Sequence, residues 1–362
     1  MKNPKKKSSE RTVLINGFFL CYRLSGIERY AYEITKRLDE ISSINEIAMI
    51  VPGNISIPEY KKLKIIRYGK KIRNILWQMI ILQWFLITHK SYMVLEFANT
   101  ALPFAPGIVF LHDIYCEFFA EDFKGFKKKI IRIYNRWQYR LIVKKAKKII
   151  TVSDYSKNEI AKTFTLDPSE IEIIHSSADH IKSINSDMSI FDELPILKIR
   201  PYYFSFGNLY KRKNTKWIID YAIKHPDSLF VISGTWLPSI RTTQPGGKNP
   251  ENIIILGYLN DGVIKALMQN CKAFILPSYY EGFGLTPLEA LSCGAQIVVA
   301  NAASLPEIYG KTAHYIDPYN TNVDLDELLK QPVDAPDEIL NKYSYDKAAE
   351  QLYKIITGIN SV

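Results

Sequence analysis

The sequence predicts two doubly wound α/β domains in tandem, facing each other across a central cleft. Short apolar, β-branched runs alternate with amphipathic stretches from end to end, the pattern of buried parallel strands and covering helices. They fall into two series separated by a polar, irregular stretch at 181–198. A chain of 362 residues also exceeds what one hydrophobic core commonly supports. The expected domains are 1–190 and 198–345, with a tail helix at 346–362 free to pack back on the first.

In the first series, "TVLING" (12–17), "EIAMIVPG" (46–53), "YMVLEF" (92–97), "GIVFLHD" (107–113) and "AKKIITVSD" (146–154) read as strands. "IERYAYEITKRLDEI" (27–41) reads as an amphipathic helix between the first two. In the second, the strands are "YYFSFG" (202–207), "SLFVISG" (228–234), "NIIILG" (252–257), "KAFILPS" (272–278) and "AQIVVAN" (295–301). Such sheets bind ligands at the carboxyl ends of their strands, so the strand-ending loops carry the search for function.

Composition narrows the partners. The formal net charge of +10 is concentrated in the first 225 residues and favours something anionic. The segment "KGFKKKIIRIYNRWQYRLIVKKAKK" (124–148) interleaves basic clusters with Ile, Tyr and Trp at helical spacing. Such a helix suits an anionic bilayer, or equally a packed helix with a solvated basic face. No nucleic-acid motif accompanies the charge, so nucleic acid is not an expected partner. The apolar stretch "NILWQMIILQWFLI" (74–87) is short of the roughly 20 residues a membrane span needs and contains Gln78 and Gln83. "MKNPKKKSSER" runs straight into a strand, unlike a signal peptide. Cys21, Cys116, Cys271 and Cys293 have no metal-ligand spacing and read as reduced thiols of a cytosolic protein.

Four loops offer chemistry. "YYEGFGLTPLEALSCG" (279–294) joins a strand to a helix. Thr286 at the N-cap, Pro287 at N1 and Glu289 at N3 form a capping box, a structural role for Glu289. Glu281 lacks a comparable structural role. It precedes Gly282 and Gly284, which let backbone approach a ligand, and the helix start that follows favours a phosphate. Glu281 on sugar hydroxyls, amides on phosphate and Glu289 on ribose describe a nucleotide-sugar site. In "FGNLYKRKN" (206–214), Gly207 permits a tight turn, and Arg212 and Lys213 suit a pyrophosphate. Gly26 of "YRLSGIERY" (22–30) stands at a loop-to-helix junction where it can bring amides to the same phosphates. His112 and Asp113 lie just past a strand end, where they can meet the sugar from the first domain. A dinucleotide-binding dehydrogenase is disfavoured, because no G-x-G-x-x-G follows the first strand.

Together and in this order, these elements resemble the family-4 retaining glycosyltransferases of the GT-B fold. The resemblance is carried by the E-x7-E element Glu281–Glu289, by Arg212–Lys213–Asn214, and by "SGIERY", "HD", "VSDYSKNEI" (152–160) and "NAASLPEIYG" (301–310). It implies that Glu281 contacts donor-sugar hydroxyls, that Glu289 holds the ribose, and that Arg212 and Lys213 neutralise the leaving diphosphate. It places the backbone of Phe283, Gly284, Leu285 and Thr286 along sugar and phosphate, His112 beside the reacting sugar, and Tyr258 of "GYLN" near the base. It implies no cofactor and no essential metal. The variant resembles mannosyl- and rhamnosyltransferases of bacterial polysaccharide synthesis. A saccharide acceptor carried on a polyprenyl diphosphate, and a cytoplasmic protein held at the inner face of the membrane, are the corresponding expectations; a non-catalytic nucleotide-sugar- or lipid-binding subunit is the alternative. Two departures stand out: Asn208 replaces an arginine many relatives have, and "IIHSSAD" (173–179) lacks the usual glycine of the inter-domain turn.

Overall fold

In a computed structural model, residues 11–24, 26–207, 210–234 and 250–360 are described; Asn208 lies outside them. Two parallel sheets form. The first contains β1 (Thr12–Asn16), β2 (Ile47–Val51), β3 (Lys64–Arg67), β4 (Tyr92–Glu96), β5 (Ile108–Phe110), β6 (Lys148–Thr151) and β7 (Ile171–Ile173), in spatial order β3-β2-β1-β4-β5-β6-β7. The second contains β8 (Tyr202–Phe206), β9 (Leu229–Ser233), β10 (Ile253–Leu256), β11 (Ala273–Leu276), β12 (Ile297–Ala300) and β13 (His314–Ile316), in order β10-β9-β8-β11-β12-β13. The chain reverses direction across each sheet, between β1 and β4 and between β8 and β11. Crevices outside the strand ends open at such switch points.

The central strands are buried on both faces, as their unbroken apolar runs require: Ile47–Val51 and Leu229–Ser233 are buried throughout. Helix Ile27–Ile41 covers one face of the first sheet with Tyr30, Ala31, Ile34 and Leu38. The opposite face is covered by helix Phe126–Lys145 and by a helical run from Asn74 to Thr88 whose middle, Trp77–Leu82, is π-helical. Among the described residues no helix is long and apolar enough to cross a membrane, and the four cysteines are free.

The stretch at 181–198 is more ordered than its composition predicts. Short helices Ile190–Glu193 and Ile196–Ile199 form there, and Ile190, Phe191 and Leu197 are buried in the core under the second sheet. Helix Tyr345–Asn360 returns to the first domain. Its Tyr345, Ala348, Ala349, Leu352 and Ile356 share a core with Val13, Ile34 and Phe110. The turn at 173–179 manages without glycine because none of its residues has a positive φ. Ser177 Oγ donates instead to Tyr343 O (2.9 Å), and Asp179 accepts from Tyr345 N (3.0 Å), tying together the two crossings between domains.

Candidate active site

The second domain's switch point brings β8 and β11 side by side, and the loops that leave them converge. Lys213 Nζ lies 2.7 Å from Glu281 Oε1, and Arg212 Nη1 lies 3.4 Å from Glu281 Oε2. Glu281 is therefore not without a structural partner, contrary to the sequence reading: two cations, 68 and 69 residues earlier in the chain, hold it. Burial would raise the Glu281 carboxyl, but Lys213 and Arg212 outweigh it and hold the group below its ordinary range. Burial pushes the Lys213 ammonium down, opposed by Glu281. Arg212 also sits over the Tyr115 ring, 4.9 Å to its centroid, and donates to Tyr280 O (3.1 Å). Asn214 explains how the pair is aimed. It takes the left-handed conformation (φ 54°), and its Nδ2 donates to Pro277 O and Pro318 O, clamping the basic turn to the strand ends.

The capping box does not form. Helix Leu285–Ser292 begins after Gly284, whose φ of 82° closes the turn, so Glu289 is the fifth helical residue and cannot reach back to the cap. Glu289 Oε1 instead meets His180 Nε2 at 3.1 Å, a partner from the inter-domain turn that no motif announced. Among the described residues, the buried polar atoms around these loops that lack a protein partner include Arg212 Nε, Thr286 Oγ1 and His180 Nδ1. Orphaned buried polar atoms are rare enough to need an explanation, and a polar ligand supplies one.

From the first domain, His112 is buried behind β5, and its Nε2 lies 2.7 Å from Phe97 O. A carbonyl only accepts, so Nε2 carries the proton. Burial lowers the imidazole pKa, so the ring is neutral and Nδ1 is an acceptor. The two domains touch here: a Cβ on Gly282 would come within 2.7 Å of His112 O and 3.1 Å of Asp113 Cβ. Ser153 Oγ and Ser156 Oγ both donate to Gly282 O (2.6 and 3.2 Å). Glu307 accepts from the amides of Asp154 and Tyr155, capping helix Asp154–Phe164 from the other domain. The "VSDYS" and "SLPE" segments are thus halves of one contact, which their separation in the chain hid.

The remaining expected residues are placed as follows. Gly207 (φ 138°) ends β8 in open space, and Gly26 (φ 50°) starts helix Ile27–Ile41, also with nothing in the way of a Cβ. Phe283 is buried against Tyr343, and Leu285 and Thr286 open their helix half-buried. Tyr258 is exposed, with the Arg23 guanidinium 4.4 Å over its ring across the cleft. Arg29 pairs with Asp261 beside it.

The chain is similar to known proteins along most of its length. Residues 24–180 match the model of glycosyltransferase family 4, and residues 188–346 that of glycosyl transferases group 1. The chain is 26% identical over 342 residues to O-antigen chain mannosyltransferase B of Escherichia coli, covering 82% of this chain and 84% of that protein. It is 24% identical over 212 residues to O-antigen chain mannosyltransferase RfbU of Salmonella typhimurium, covering 58% of this chain and 56% of that one. The sucrose-phosphate synthase structure from Thermosynechococcus elongatus superposes with a TM-score of 0.70 over 97% of this chain and 99% of its own, at 12% identity, and shows the shared fold. With two Rossmann-like sheets and the two family segments in tandem, the chain belongs to the GT-B glycosyltransferases that join a family-4 unit to a group 1 unit.

Proposed function

We propose that this glycosyltransferase moves a hexose or deoxyhexose, mannose or rhamnose in preference, from a nucleoside-diphosphate sugar to a saccharide acceptor, with retention at the anomeric carbon, in bacterial surface polysaccharide synthesis. The observation that carries the reading is the buried Glu281–Lys213–Arg212 cluster beside the start of helix Leu285–Ser292, with His112 directly across Gly282. Lys213 and Arg212 are positioned to neutralise the diphosphate as it leaves, joined by the first amides of the helix. Glu281 then turns to donor hydroxyls, and the neutral His112 accepts a sugar hydroxyl at Nδ1. Glu289 and His180 hold the ribose, with Tyr258 near the base and Gly26 and Gly207 flanking the phosphates. Among the described residues no side chain stands as a covalent nucleophile, which favours substitution on the leaving-group face, the acceptor's proton passing to the departing phosphate. The positive charge supplied by protein groups makes the reaction metal-independent.

The acceptor is a lipid-linked saccharide, and the first domain carries a surface fitted to its membrane. Ile75, Ile80 and Trp84 of the 74–88 run and Phe126, Ile133 and Trp137 of helix Phe126–Lys145 are exposed, among lysines and arginines. A patch of that size with a basic surround fits an anionic leaflet.

The test is nucleotide release with a panel of nucleoside-diphosphate sugars, with and without EDTA. We expect one donor class to turn over, unaffected by chelation. Glu281→Gln and Lys213→Ala should each lower turnover by about 10²–10³. Turnover of both variants at the level of the unaltered protein would remove the site assignment. Binding of a donor with no hydrolysis or transfer would favour the non-catalytic reading.

A further inference from the structure

Between the basic helix and the donor-site cations lies a segment with no assigned part in the transfer step. Residues 115–123 follow His112 and Asp113 and form two short turns, Tyr115–Phe118 and Ala120–Phe123. The first domain holds this segment firmly. Phe123 is buried in its core, and Arg132 of helix Phe126–Lys145 donates to Cys116 O (2.7 Å) and Glu117 O (3.0 Å). Arg136 and Arg140 of the same helix pair with the Glu117 carboxyl at 2.6 and 2.8 Å. Three arginines of the basic helix thus turn toward this segment.

What the segment braces lies in the other domain. Asp122 Oδ1 accepts from Lys211 N at 2.8 Å. Lys211 opens the one-turn helix Lys211–Lys213, whose own flanking residue, Tyr210, supplies no side-chain cap. The first amides of a helix find no partner within it, so Asp122 caps the donor-site turn from across the cleft. The Tyr115 ring backs the Arg212 guanidinium, and Phe118 and Phe119 pack against Tyr280, the residue before Glu281, with ring centroids 6.2 and 5.6 Å apart. Both loops of the Glu281–Lys213–Arg212 cluster therefore rest on the first domain. Burial works against the Arg212 charge, but Glu281, Asp113, Tyr115 and Asp122 outweigh it and hold the group above its ordinary range. Three of those four belong to the first domain.

Asp122 has no comparable use inside its own domain. It is 8% exposed, its side chain makes no hydrogen bond to the first domain among the described residues, and its Oδ2 is buried without a partner. Burying a carboxyl is costly unless it is paired, and its hydrogen bond crosses to Lys211. Glu121 beside it also reaches Lys211, at Nζ (2.7 Å), but that pair is exposed and contributes little.

We propose that Asp122 is a positioning residue of the donor site: from the first domain it holds the Lys211–Lys213 turn so that Arg212 and Lys213 meet the β-phosphate of the nucleoside diphosphate. The inference rests on the glycosyltransferase reading above and adds that the second domain's grip on the diphosphate is completed by the first. Tyr115 assists by backing Arg212.

The experiment measures affinities of the full chain, by titration calorimetry, for the diphosphates and monophosphates of uridine, guanosine, adenosine and thymidine. The unaltered protein should bind one diphosphate about tenfold or more tightly than its monophosphate. Asp122→Ala should weaken that diphosphate by about tenfold, the loss of a hydrogen bond to a charged group, while the monophosphate stays within about twofold. Turnover should fall with it. Asp122→Asn keeps the acceptor oxygen and should restore most of the diphosphate preference. Tyr115→Leu removes the ring behind Arg212 and should narrow the same preference by about threefold, a second reading should the Ala variant not fold. Glu121→Ala should leave both affinities within about twofold. An unchanged diphosphate preference in the folded variants, a parallel loss of both nucleotides, or an Asn variant no better than Ala would overturn the positioning role. If the unaltered protein binds no nucleotide, the glycosyltransferase reading falls, and this inference with it.

Discussion

At the scale of single residues, the constraint that joins the two domains at the site is Gly282. Its missing Cβ lets the second domain press against the His112 carbonyl, and backbone cannot yield 2.7 Å the way a flexible side-chain tip can. Gly282→Ala should therefore hold the cleft ajar while leaving each domain folded. The expected outcome is a kcat loss of about 10²-fold, as for any misplacement of about 1 Å between reacting groups, with the melting transition little changed. A variant with normal kcat would show that the contact is dispensable. Glu281 and Glu289 show what a sequence does and does not disclose at this scale. The Gly-x-Gly spacing singles out Glu281 as a candidate. Its pairing with Lys213 and Arg212 depends on which strands become neighbours, and that is invisible until β8 lies beside β11. The capping-box role expected of Glu289 fails because a left-handed Gly284 starts the helix ahead of Thr286. The sequence does not disclose His180 for a related reason: nothing local tells a buried polar residue from an exposed one.

At the scale of elements, the long periodic segments were legible and the short ones were not. Helix Ile27–Ile41 matches its predicted range, and the inner strands lie within three residues of theirs. β3, β7 and β13 are edge strands whose runs, KIIR, IEI and HYI, contain charged or polar residues, so no continuous apolar run marks them. The 74–88 run is too short and too polar in sequence to read as a membrane span, and its sidedness emerges only in the fold. Trp77 and Leu82 face inward while Ile80 and Trp84 stand exposed, on the same side of the sheet as helix Phe126–Lys145. Two adjacent helices with exposed apolar residues give a membrane-docking prediction with a measurable salt dependence. The protein should sediment with vesicles containing about a third anionic lipid at low salt and be released at high salt. Trp84→Glu combined with Ile133→Glu should weaken retention by about tenfold or more without altering transfer to a water-soluble acceptor, as expected for the loss of two buried apolar anchors. Retention equal to the unaltered protein would show that the patch faces something else.

At the scale of the whole molecule, the two-sheet architecture followed from the sequence, but its wiring did not. The polar stretch at 181–198 reads as a linker because its few apolar residues are spaced irregularly, yet Ile190, Phe191 and Leu197 anchor it to the second core. Helix Tyr345–Asn360 runs the other way and fills the first core. Leu352, fully buried there, should cost about 2–5 kcal/mol when cut to Ala. The loss should appear as a lowered first-domain transition in denaturant, with the second domain's transition unmoved; a uniform shift of both would mean the domains unfold as one unit. This helix also sets a timetable for biosynthesis. A domain encoded from its first strand through β7 would ordinarily close while the rest is still being made. Here β1 must wait more than 300 residues for the partner that seals its core. Until Leu352 and Ile356 arrive, the nascent first sheet carries an open apolar face, and a ribosome stalled within the second domain leaves that face to chaperones.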